Sequence, residues 1–150
     1  MKLEEQVCSL ESAKMLKELG VRQESLFYWI WRMNNTHVLV PKENYPVGFN
    51  SDEDYSAFTV AELGEMLPPS IKQKSENCYS GKDYYIYLEM DKHIDQRPRG
   101  YRFRLRYRPE FNPEMEGWHN DEISDDTEAE ARAAMLIYLL ENKLITIELA

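Results

Sequence analysis

Between Tyr101 and Arg108 the chain alternates strictly, with Tyr101, Phe103, Leu105 and Tyr107 at one parity and Arg102, Arg104, Arg106 and Arg108 at the other. A two-residue repeat is the repeat of a β-strand, so this run folds as a strand with one apolar face and one face of guanidinium groups. On a helix the same residues would scatter arginine around the circumference. Such a strand needs a pairing partner and a cover for its apolar face. Tyr84 to Asp91 supplies the partner, with Tyr84, Ile86, Leu88 and Met90 alternating with Tyr85, Tyr87, Glu89 and Asp91. A hairpin loop around Lys92 to Arg99 would set an antiparallel register with Glu89 near Arg102, Tyr87 near Arg104 and Tyr85 near Arg106.

Three helices are expected as cover. Ser9 caps the first, which runs to about Leu19 with Leu10, Ala13 and Leu16 on one face and Gly20 at the left-handed C-terminal position. Thr59-Val60-Ala61-Glu62 is a capping box, in which hydroxyl and carboxylate satisfy each other's backbone N–H groups. It opens a short helix, Val60 to Leu67, that Pro68 and Pro69 end. Thr127-Glu128-Ala129-Glu130 is a second capping box for the longest helix, which continues to about Asn142, a residue that tolerates the left-handed conformation. Ala129, Ala133, Leu136, Ile137 and Leu140 centre its apolar face, flanked by Met135, Tyr138 and Leu139.

A further hairpin precedes these last elements. Ser25 to Arg32 is rich in aromatic and β-preferring residues, Asn34 and Asn35 form a turn, and Thr36 to Val40 leads to Pro41. Both faces of its first strand are apolar and need cover. Lys42 to Ala57 lacks periodicity and reads as a surface loop able to include a short strand. A short strand is also expected around Trp118. At 150 residues, the sum is one α+β domain. We expect an antiparallel sheet of four or five strands packed with three helices, in the order α-β-β-α-β-β-α.

Composition narrows the function classes. The formal net charge is -9, which opposes general affinity for nucleic acid, since that affinity rests on cations neutralising phosphates. Yet six of the nine arginines lie between Arg97 and Arg108. That row is either the basic half of an ion-pair ladder or a binding surface. As a surface, Arg102, Arg104 and Arg106 would meet phosphate while Tyr85 and Tyr87 stack on bases, or the row would receive an acidic protein. Glu89 and the acidic run after Pro109, nine Asp or Glu from Glu110 to Glu130 without Lys or Arg, favour the ladder. Arg97, Arg99 and Arg108, at the strand ends, are then the arginines least paired.

Other chemistry has little support. Glu89, Asp91, His93 and Asp95 recur every second residue, as ligands of a divalent cation could, but adjacent arginines would repel the ion, and no metal site is expected. Cys8 and Cys78 lack a CxxC pattern or a local base, and His37, His93 and His119 are scattered. No P-loop or dinucleotide turn is present, so neither a cofactor nor enzymatic activity is expected; a metal-dependent enzyme is the most distant alternative. The aromatic face of Phe27, Trp29 and Trp31 serves either as core or as a homodimer contact. With no signal-peptide core and no apolar run of membrane-spanning length, the expected setting is cytoplasmic.

Three blocks, Cys8 to Trp29, Tyr55 to Pro68 and Thr127 to Asn142, resemble a family of small proteins encoded by bacterial prophages and phages. The wording carrying the likeness is that of helix caps and packing faces, such as YSAFTVAELGEMLP and TEAEARAAMLIYLLEN. The family has no established activity, so the resemblance implies a mobile-element origin and an intracellular setting and brings no catalytic residues. The family pattern would place Asp at Glu130 and Gly at Lys143. An accessory protein that binds an unknown macromolecule is the expectation that follows.

Overall fold

The computed structural model describes residues 2–46, 52–73, 84–94, 101–109 and 123–147. The fold is α+β, with helices α1 (Leu10–Glu18), α2 (Val60–Met66) and α3 (Glu128–Glu141). Strands β1 (Phe27–Arg32), β2 (Thr36–Pro41) and β3 (Tyr55–Ser56) form one antiparallel sheet in the order β2-β1-β3. Strands β4 (Ser70–Gln73), β5 (Tyr84–Ile94), β6 (Tyr101–Pro109) and β7 (Ile123–Asp125) form a second in sequential order. The α-β-β-α-β-β-α order stands, but the expected single sheet of four or five strands is instead two sheets, of three and four strands, each built on one of the two hairpins and extended by the short strands β3, β4 and β7. The strand expected around Trp118 lies outside the described residues.

The helix signals resolve into particular bonds. Ser9 Oγ accepts from Ser12 N–H at 3.2 Å, and Gly20 has φ 87°, with Val21 N–H reaching back to Leu16 O at 3.0 Å. That return bond is a Schellman closure, which demands a left-handed residue just past the cap. At α2 both halves of the capping box form, Glu62 N–H to Thr59 Oγ1 at 3.2 Å and Thr59 N–H to Glu62 Oε2 at 2.8 Å. At α3 only half does. Thr127 Oγ1 accepts from Glu130 N–H at 3.1 Å, but the Glu130 carboxylate turns to α1, taking Ser9 N–H at 2.8 Å, Ser9 Oγ at 2.9 Å and the Ser12 hydroxyl. The end of α3 also differs from expectation. Asn142 stays at φ -86° and Lys143 takes the left-handed place at φ 55°, because Leu144 N–H closes onto Leu139 O at 2.9 Å.

Helix α3 is the centre of the core. Ala129, Ala131, Ala133, Met135, Leu136, Ile137 and Leu139 are all buried, a circumference wider than one stripe, because α1, α2, β6 and β7 pack around it. From the second sheet, Leu105 and Tyr107 of β6 enter this core, and Tyr107 O–H donates to Pro68 O at 2.7 Å. From the first, Trp29 packs against it with Nε1–H donating to Cys8 O at 3.1 Å. Trp29 is thereby tied into the interior. The opposite side of β1 has its own cover, as the chain after β2 folds back and stacks Tyr45 on Tyr28 with ring centroids 4.6 Å apart. Buried Asp54 holds that return, accepting from Tyr45 O–H at 3.1 Å and Trp31 N–H at 3.0 Å.

Candidate functional site

The arginine row lies on β6, and its setting depends on the register with β5. That register differs from the expected one by four residues. Glu89 faces Arg106, Asp91 faces Arg104, His93 faces Arg102 and Tyr87 faces Arg108, while Tyr85 is paired on its other side with Lys72 of β4. The reason is the length of β5. Ile94 is in phase with Ile86, Leu88 and Met90, so the alternation runs past Asp91, Ile94 pairs with Tyr101, and only residues 95–100 connect the strands. Lys92, at an otherwise apolar parity, is accommodated with its Nζ 5.5 Å from the Phe103 ring centroid.

Arg106 and Glu89 form an ion pair on this face. Arg106 Nε donates to Glu89 Oε2 at 3.0 Å, with the side chains 19% and 46% exposed. The partly covered guanidinium and wetter carboxylate make a cross-strand pair of ordinary strength, roughly 0.2–1 kcal/mol. Beside it Tyr87 leaves 45% of its surface in water, and Arg104, half-buried, faces Ser124 of β7 on its other side. The sheet thus brings together Glu89 with Arg106 and Tyr87 with the Arg108 position. It does not bring Tyr87 to Arg104, Tyr85 to Arg106 or Glu89 to Arg102. Arg97 and Arg99 lie outside the described residues.

Cys8 and His37, which lie among the described residues, are both engaged in the fold. Burial pushes the Cys8 thiol up to about 12, so it stays protonated at neutral pH and lacks nucleophilic character. His37 Nε2 lies 2.8 Å from Glu53 O, and its ring sits 5.7 Å from that of Tyr55. Cys78, His119 and Asp95 fall outside the described residues. Of the alternating metal-ligand candidates, Glu89 is held by Arg106, while Asp91 and His93 stand at register positions facing arginines. Among the described residues no group of three or more His, Cys, Asp or Glu is arranged to hold a metal ion. No helix among them is long and apolar enough to cross a membrane.

Three carboxylates make long-range bonds that the sequence did not reveal. Glu62, besides its cap, accepts from Ser25 Oγ and Leu26 N–H, both at 2.9 Å, and so ties the entry of β1 to α2. Glu130 joins α3 to α1, and Asp54 braces the first sheet. The capping box marked Glu62 and Glu130 as local partners, but nothing local reveals a bond to residues 36 or 121 positions away. Compared with known proteins, the chain matches no family model, no curated protein and no solved structure.

Proposed function

We propose that this is a non-enzymatic, cytoplasmic accessory protein of prophage origin that binds a macromolecule through the β5–β6 face carrying the arginine row. The observation that carries this reading is the exposed ring of Tyr87 beside the Arg106–Glu89 pair. An aromatic group on a rigid sheet, bordered by charge, offers contact area at low entropic cost. The resemblance of three blocks to prophage-encoded proteins supports the origin, and genes for replication, packaging or host defence beside this one would test it. The test of the surface is affinity capture with wild type and an Arg102→Ala/Arg104→Ala/Arg106→Ala variant. The expected outcome is a partner retained by the first and lost by the second, and an identical set of captured partners refutes the assignment.

A nucleic-acid strand is the second reading. It is favoured by the register, which sets four arginine positions of β6 against only two carboxylate positions, Glu89 and Asp91, with Tyr87 and His93 facing the other two. Fluorescence anisotropy with a labelled single-stranded oligonucleotide at about 50 mM salt decides it, since phosphate contacts are strongest at low salt. Absence of binding by the wild type rejects this reading and leaves a protein partner.

A further inference from the structure

Strand β2 is an outer strand, paired with β1 on one side and, among the described residues, with no strand on the other. Lys42 N–H donates to Leu26 O at 2.8 Å, so the even-numbered residues of β2 turn their N–H and C=O toward β1. His37 and Leu39 turn theirs outward, and Pro41 has no N–H to satisfy. Sheet edges are ordinarily blunted by a charged side chain, an interior proline or a bulge. Thr36-His37-Val38-Leu39-Val40 contains no Lys, Arg, Asp, Glu or Pro. The same hairpin also leaves large apolar side chains in water. Leu26 is 59% exposed, Met33 97% and Val38 36%.

From this we infer that β2 pairs antiparallel with β2 of a second copy of this chain about a two-fold axis through Val38. Self-complementarity selects that occupant. In this register His37 faces Leu39 of the second copy, and the symmetry axis repeats the pair, so all four outward groups form hydrogen bonds. Thr36 faces Val40 of the second copy and no like charges meet. Pro41 falls opposite Asn35 of the second copy, in the turn, where its missing donor costs nothing. Val38 meets its own symmetry mate in a non-hydrogen-bonded pair, the kind in which side chains come closest. Met33 arrives over the helical turn Lys42–Asn44 of the second copy, which removes the most exposed apolar side chain of the hairpin from water. The product is a continuous six-stranded sheet. This surface is the strand edge, separate from the Phe27 and Trp29 face and from β5–β6.

Light scattering on the full chain at about 100 µM should give twice 17.8 kDa. Val38→Lys sets two ammonium groups against each other across the axis and should weaken the dimer about 100-fold. Because Val38 is part-exposed, its circular dichroism should match the wild type. As an independent arm, Val38→Cys should oxidise to a covalent dimer, since a non-hydrogen-bonded pair has Cα atoms about 4.5 Å apart, within disulfide range. Thr36→Cys, displaced from its own symmetry mate, should not. A monomer at that concentration, a dimer indifferent to Val38→Lys, or equal cross-linking of the two cysteine variants would each overturn the inference.

Discussion

Glu130→Ala is the substitution whose cost follows most directly from the geometry. The carboxylate takes Ser9 N–H, Ser9 Oγ and the Ser12 hydroxyl, and Ser12 is only 6% exposed. A hydrogen bond to a charged group contributes about 1.5–3 kcal/mol, and much of that is the cost of leaving a buried partner unsatisfied. The negative charge also sits beside the N-termini of both α1 and α3, adding about 0.3–1 kcal/mol for each helix. Since the bonds share one carboxylate they are not additive, and we expect a loss of about 3–4 kcal/mol. For a chain of this size that lowers Tm by about 10 °C. Glu128 is the control. It lies in the same first turn of α3 but, among the described residues, bonds Arg132 alone, at 2.7 Å in an i,i+4 pair, so Glu128→Ala should cost about 0.5 kcal/mol. Urea unfolding followed by circular dichroism measures both, and Ser9→Ala combined with Glu130→Ala should lose less than the sum of the single changes. Equal effects at Glu128 and Glu130 would mean that the helix dipole alone matters and that the bridge to α1 contributes nothing.

Two further outcomes are expected. Lys143→Gly should stabilise the protein by about 0.5–1 kcal/mol, because Lys143 holds φ 55°, a conformation costing a non-glycine residue about 1–2 kcal/mol, partly offset by the greater freedom of glycine when unfolded; an unchanged urea midpoint would refute it. Burial, and then its hydrogen bond to Asp54, raises the Tyr45 phenol from the ordinary value near 10 to about 12, so the folded state favours the neutral ring. The stabilisation is complete below about pH 10 and disappears as pH rises toward 12. Tyr45→Phe should therefore flatten the alkaline fall of Tm over that window, and an unaltered slope would refute the role.

Local chemistry explains how much of the fold was legible. Ser9, Gly20, Thr59 and Thr127 act through bonds to residues three to five positions away, so short stretches reveal helix ends. The parity of β5 and β6 is equally local, because alternation needs no knowledge of a partner. Register is different. The charge pairing of the arginine row depended on whether β5 stopped at Asp91 or continued to Ile94, and a shift of four residues preserves the faces while replacing every cross-strand neighbour. Alternation therefore fixed which residues share a face without fixing which residues meet.

From residue types and their spacing alone, this chain determined the three helices and two main hairpins found among the described residues, and the arginine-bearing parity of β6. Only tertiary packing decided that Arg106 meets Glu89, that Glu130 leaves its own cap for the start of α1, and that β2 is the outer strand among the described residues. The physical reason is range. Caps and alternation are satisfied within a turn or a strand, whereas ion pairing, shared carboxylates and free edges depend on which distant segments the buried surface of α3 draws together.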